Sequence, residues 1–114
     1  MGDQDMNSLP LAAFIETEID LLPPERGGRR SPISSGYRCN CWIGNGERSE
    51  RTYNDATFYL LDSEQLNPGE RGRARTRPHF PDDWSGLVVG STFDLCEGRR
   101  VVGVATVTCL FPPP

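Results

Sequence analysis

Short alternations of apolar and polar residues recur along this chain, separated by segments rich in glycine and proline. A period of two is typical of strands, because successive side chains point to opposite faces of a sheet. No window of helical length carries a 3.6-residue period. A closed barrel leaves no strand edge unpaired, so the pattern predicts an all-β, six-stranded antiparallel β-barrel. The predicted strands are residues 13–22, 37–43, 57–61, 71–77, 92–96 and 101–110.

The strands at 13–22 and 71–77 carry opposite charges on their predicted outer faces. In the first strand the inner face is Ile15, Thr17, Ile19 and Leu21, and the outer face is Glu16, Glu18 and Asp20. In the other strand, small residues alternate with four arginines. They are Arg71, Arg73, Arg75 and Arg77.

A chain of 114 residues is near the commonest size for one domain. Residues 1–11 are predicted as a flexible arm, 12–111 as one β-barrel domain and 112–114 as a proline-rich tail. No apolar run approaches the roughly 18 residues that a membrane span needs. The polar start carries no secretory signal, so we expect a cytoplasmic protein with reduced thiols.

All twelve basic residues are arginine, and the chain contains no lysine. This excludes a Schiff-base lysine and the lysine of a phosphate-binding P-loop, so no nucleotide is expected to bind. No metal cluster or pair of nucleophile and base is visible, and we expect neither catalysis nor a cofactor. The net charge of −4 argues against a protein that coats nucleic acid broadly, but it leaves room for a local basic patch.

The arginine strand has two interpretations. Alternate residues on a strand lie about 7 Å apart, close to the spacing of phosphates along a nucleic-acid strand. Trp42 or Trp84 would then offer a surface on which bases stack. Alternatively, the arginines pair with Glu16, Glu18 and Asp20 across the sheet and form a surface ladder of ion pairs.

Three further groups have alternative roles. Arg26, Arg29 and Arg30 either extend a phosphate-binding track or form a solvated loop in which Arg29 braces a turn.

The four cysteines are expected as buried thiols, since Cys-x-Cys within a strand differs from the turn spacing of zinc sites; a disulfide is the other alternative. His79 is expected as a plain loop residue, and a catalytic role would require a cysteine within hydrogen-bond reach. The cysteines are Cys39, Cys41, Cys96 and Cys109.

Three sequence blocks, in order and correctly spaced, resemble the C-terminal β-barrel domain of translation elongation factor Tu. Residues 25–38 contain Glu-Arg-Gly-Gly-Arg, a proline and Gly-Tyr-Arg, similar to the family's Glu-Gly-Gly-Arg-His-Thr-Pro and Gly-Tyr-Arg. Residues 68–70 are similar to its Pro-Gly-Asp turn. Residues 97–103 match its Glu-Gly-Gly-Arg-Thr-Val-Gly hairpin. The likeness spans roughly residues 12–111 and implies a free-standing copy of the third domain, without the GTPase domain.

In that family the third domain, together with the second, holds the T stem of aminoacyl-tRNA, and the second domain has no counterpart in this sequence. The resemblance implies that Arg29, Asn40, Glu97 and Gly98 contact the tRNA backbone. We therefore expect a non-catalytic module that contacts tRNA or another RNA through these residues, the four arginines of the strand at 71–77 and Arg100. The alternative is a protein-interaction module that mimics the third domain and engages translation-factor partners or an antagonist.

Overall fold

The barrel is formed by six of the eight strands in the computed structural model, which describes residues 14–44, 52–84 and 86–111. The strands are β1 (Phe14–Leu21), β2 (Ile33–Ser34), β3 (Tyr37–Ile43), β4 (Thr52–Leu60), β5 (Gln65–Leu66), β6 (Arg71–Pro78), β7 (Thr92–Glu97) and β8 (Arg100–Phe111). The closed order is β1-β6-β4-β3-β7-β8, and every neighbouring pair is antiparallel. The predicted six-stranded antiparallel β-barrel is confirmed.

Most strand ends shift by one residue; the start of β4 and two short strands differ more from the prediction. β4 begins at Thr52 and not at residue 57, because the polar residue Asn54 faces inward and the aromatic residue Tyr53 faces outward, which breaks the alternation. β2 and β5 were not predicted; they pair with each other over two residues each, too few to produce a period. β8 begins at Arg100, which pairs with Glu97. The predicted arm at 1–11, the tail at 112–114 and residues 45–51 of a loop predicted over 44–55 lie outside the described residues, and residues 52–55 of that loop belong to β4.

Alternation along β1 and β6 places one face of each strand in the core. The burial of β1 alternates from Phe14 to Leu21, and Ile19 is fully buried. On β6 the inward residues are small, and Ala74 and Thr76 are both fully buried. The Thr76 hydroxyl shares a buried hydrogen bond of 3.0 Å with Thr17. This bond satisfies two polar groups that would otherwise be costly to bury.

Loops close the two ends of the barrel differently. The upper end, where β1 finishes, holds residues 22–36, the connection 61–70 and the turn at Gly98 and Arg99. Gly98 has a φ of 62°, which suits the first position of a tight two-residue turn. The lower end holds the segment 79–91, anchored by Trp84, which packs edge-on against Phe93 in the core. No helix in the described ranges is long and apolar enough to cross a membrane.

Candidate nucleic-acid interface

Arg29 and Glu97 meet at the upper end of the barrel. Arg29 follows β1 in the first upper loop, and its Nη1 donates to Oε2 of Glu97, the last residue of β7. The Tyr37 hydroxyl donates to the same carboxylate oxygen at 2.6 Å. Arg100 Nη2 reaches Oε1 at 3.5 Å. Arg29 and Glu97, both of which the resemblance assigns to RNA contact, therefore bind each other.

Tight backbone packing at Gly28 positions Arg29. A Cβ at Gly28 would lie 1.9 Å from the Leu22 carbonyl oxygen, so only glycine allows the loop to return so close to β1. The Arg29 guanidinium then donates to the carbonyl oxygens of Ser31 and Pro32, at 3.2 and 3.3 Å. This geometry confirms that Arg29 braces a turn, one of its two predicted roles.

The environment of Glu97 stabilises its charged form. Partial burial by itself would raise the pKa of Glu97, but the hydrogen bond from Tyr37 and the contact with Arg29 outweigh it and hold the pKa below the ordinary glutamate value. Burial, with the hydrogen bond to Glu97, raises the pKa of Tyr37. Tyr37 therefore stays protonated and acts as a donor.

A shallow groove of about 460 Å³ separates this network from the outer face of β3. It brings Asn40 together with Glu97 and Gly98, three of the residues predicted to contact RNA. Asn40 is exposed, and it pairs with Asp55 on one side and Cys96 on the other. The lining residues are Arg38, Cys39, Asn40, Asp55, Cys96, Glu97 and Gly98.

The upper half of the arginine strand is occupied by carboxylates. Arg71 Nε donates to Asp20 Oδ1 at 2.7 Å, and its neighbour Arg73 forms two hydrogen bonds to Asp62 at 2.8 and 3.0 Å. The hydrogen bond from Arg73 lowers the pKa of Asp62, and the bond to Asp20 raises that of Arg71. The ion-pair interpretation thus describes this half of the strand, although Asp62 was not predicted as a partner.

The lower half of the same strand has weaker pairing. Arg75 lies 4.0 Å from Glu16 and stacks over the Phe14 ring at 4.5 Å. Arg77 has no carboxylate within 4.0 Å among the described residues. It pairs in register with Thr57 on β4, and not with β1.

Sequence reasoning missed Arg38 and Thr57. Thr57 lies in register with Arg38 on β3 and with Arg77 on β6, so the two arginines flank one hydroxyl across three strands. Arg38 also lacks a carboxylate partner among the described residues. Thr57 Oγ1 and His79 Nε2 share a hydrogen bond of 2.8 Å. Alternation along β3 would have placed Arg38 beside Asn40, but only the strand order shows that Arg77 is near.

Neither tryptophan is available as a stacking surface, and that prediction was wrong. Trp84 is 5% exposed in the core, and Trp42 is 6% exposed although it lies on the outer face of β3. Trp42 is covered in part by Tyr53, whose ring stacks on it with centroids 5.7 Å apart. The exposed aromatic rings on this wall are instead Tyr53 and Tyr59, which are 47% and 43% exposed.

Among the described residues, the cysteines and His79 form no metal site and no pair of nucleophile and base. All four cysteines are free thiols, three of them buried, and burial raises the pKa of Cys41. Within the described ranges, no three His, Cys, Asp or Glu side chains are arranged to hold a metal ion. The hydrogen bond of His79 goes to Thr57 and to no described cysteine.

Comparison with known protein families returns no match: no family model fits this sequence. The likeness to the third domain of elongation factor Tu therefore stays a prediction. The barrel is consistent with it.

Proposed function

We propose that this protein is a non-catalytic RNA-binding module, and that the outer wall of β3, β4 and β6 contacts the RNA backbone. Transfer RNA is the expected ligand, on the resemblance of the sequence blocks described above. The single observation that carries the proposal is the position of Arg38 and Arg77 on either side of Thr57.

Arginines without a carboxylate partner are the ones best able to bind phosphate. An RNA that contacts Arg71 or Arg73 must displace Asp20 or Asp62, whereas Arg38 and Arg77 have no such competitor among the described residues. The Thr57 hydroxyl between them is already hydrogen-bonded to His79 Nε2 at 2.8 Å, so the two arginines are the proposed phosphate ligands. The acidic groups of β1 lie beyond β6, which limits their repulsion of RNA bound over β4, whereas Asp55 on β4 itself lies opposite Asn40.

Asn40, Glu97 and Gly98 extend the same wall toward β7 and the turn that follows it. The groove that these residues line also includes Arg38. An RNA strand that crosses the wall from Arg77 to Arg38 would therefore continue past the exposed Asn40 amide to the turn at Gly98. This path joins the predicted contact residues of β3 and β7 to the lower end of the arginine strand.

A titration against labelled tRNA at low and at physiological salt tests the proposal. The variant is Arg38→Ser/Arg77→Ser, and its matched control is Arg71→Ser/Arg73→Ser, which removes the same charge from arginines already paired. We expect the first variant to weaken binding strongly and to reduce the dependence on salt by up to about two phosphate contacts. We expect the control to bind nearly as well as the natural protein.

Two outcomes contradict the proposal. Absence of tRNA binding at low salt would remove tRNA as the ligand. An equal loss of tRNA affinity in the two double variants would show that binding depends on net charge and not on the arrangement of arginines around Thr57. Circular dichroism of each variant checks that the barrel is intact.

A second candidate function, a protein-interaction module, is favoured by the segment at the lower end. Phe80, Val88 and Val89 are each more than 60% exposed, while Trp84 anchors the same segment in the core. Connections of this length without regular strands are often functional. A Val88→Ser/Val89→Ser variant should lose a partner captured by the natural protein from an extract, with tRNA binding unchanged.

A further inference from the structure

Two exposed tyrosines lie on the outer face of β4. Tyr53 and Tyr59 are both on the side away from Ala56 and Phe58, which are fully buried in the core. Large exposed aromatic rings on a sheet otherwise covered by polar side chains often mark a contact surface. Six residues along a strand separate the two rings by about 20 Å.

The two rings lie on either side of the arginine pair. Tyr59 pairs in register with Arg75, and Tyr53 pairs with Trp42, whose ring supports it from one side with planes inclined by 16°. Between the two tyrosines lies Thr57, with Arg38 and Arg77 beside it on the neighbouring strands. Along the outer face of β4 the order is therefore Tyr53, Asp55, Thr57 and Tyr59, with the two arginines beside Thr57 and one exposed carboxylate, Asp55, between Tyr53 and Thr57.

This arrangement fits unpaired nucleotides better than a duplex. In a duplex the bases are already stacked on each other, so an aromatic side chain on a sheet gains little from them. In a single strand every base has a free face that can stack on tyrosine, while arginines hold the phosphates between the bases. We propose that the outer face of β4 binds single-stranded RNA, with bases on Tyr53 and Tyr59 and phosphates at Arg38 and Arg77.

This inference rests on the RNA-binding function proposed above and deepens it by naming the class of RNA. The test compares a labelled RNA strand of about 16 nucleotides, the upper range of a single-strand site, with the duplex that it forms with its complement. Each is titrated with the natural protein, Tyr59→Ser and Tyr59→Phe. Tyr59 is the informative position because Tyr53 also covers Trp42.

The single strand should bind more tightly than the duplex, by about 10-fold or more. Tyr59→Ser should weaken single-strand binding by about 5-fold or more while duplex binding is unchanged, because one stacked base is lost. Tyr59→Phe keeps the ring and should bind like the natural protein. Tyr59→Ser should leave the salt dependence of single-strand binding unchanged, since it removes no phosphate contact.

The failures of the two proposals are distinguishable. A duplex that binds as well as the single strand, with Tyr59→Ser behaving like the natural protein and Arg38→Ser/Arg77→Ser losing both, would overturn the single-strand inference alone. Absence of binding to the single strand, the duplex and tRNA would overturn both proposals. A loss in Tyr59→Phe equal to that in Tyr59→Ser would contradict stacking and point to the hydroxyl.

Discussion

The carboxylate of Glu97 and the guanidinium of Arg29 form an ion pair between residues 68 positions apart in the chain. It joins the first upper loop to the hairpin of β7 and β8 and is completed by the Tyr37 hydroxyl. With side chains only 21% and 30% exposed, the pair is screened less than a fully exposed one. At this end of the barrel, residues implied in RNA contact also stabilise the fold.

Glu97→Gln should reduce the stability of the protein at neutral pH, and its effect should fade in acid. The pKa of Glu97 is lowered on folding, so its contribution is fully present above the unfolded value of about 4.3 and is lost as the pH falls through the lower folded value. Urea unfolding of both proteins between pH 3 and 7, pH values chosen to span roughly that transition, measures the difference. A difference independent of pH would show that the charge of Glu97 is not what stabilises the loop.

Thr17→Val should destabilise the barrel by about 1–3 kcal/mol, because it leaves the buried hydroxyl of Thr76 without its partner. Thr17→Val/Thr76→Val replaces both hydroxyls by methyl groups of similar shape and should recover most of the loss. Free energies of unfolding from urea titration provide the comparison. If the double variant lost as much free energy of unfolding as Thr17→Val and Thr76→Val lose together, the hydrogen bond would be ruled out as the cause.

Asp20→Asn/Asp62→Asn should strengthen RNA binding at low salt by several-fold, on the order of 10-fold at most. The change frees Arg73 from its carboxylate and leaves Arg71 with only the more distant Glu18, at 3.9 Å, so both become more available to phosphate. Because both ion pairs are exposed to solvent, we expect little change in stability. The same tRNA titration measures the gain. Binding that stays equal to that of the natural protein would exclude the upper half of β6 from the interface.

Gly28→Ala should destabilise the protein by about 1–3 kcal/mol or more, since the new Cβ would collide with the Leu22 carbonyl group. Gly27 offers an adjacent control: its φ is 92°, but no atom lies within 4 Å of an added Cβ. Gly27→Ala therefore carries only the backbone strain, about 1–2 kcal/mol. Thermal unfolding of the two variants separates these effects. A larger loss for Gly27→Ala would contradict the close approach at Gly28.

The alternation of apolar and polar residues was sufficient to predict the strands of the barrel, because it shows which face of each strand is buried. In β1, Ile15, Thr17 and Ile19 alternate with Glu16 and Glu18, and the structure buries the first set and leaves the second on the outer face. The same rule assigned the outer arginines of β6. It did not find the start of β4 or the pairing of β2 with β5, because a two-residue strand has no period and forms only when its partner is already near.

The sequence by itself determined which residues of β6 face outward, because they alternate with small residues. It therefore predicted that four arginines share one face of that strand. Only the tertiary structure decided their roles, because strand order and register choose each neighbour. Arg71 and Arg73 lie within reach of Asp20 and Asp62, while Arg77 lies beside Thr57, with Arg38 on the far side. Alternation is a property of neighbouring residues in the chain, whereas charge pairing depends on contacts between residues that the chain keeps far apart.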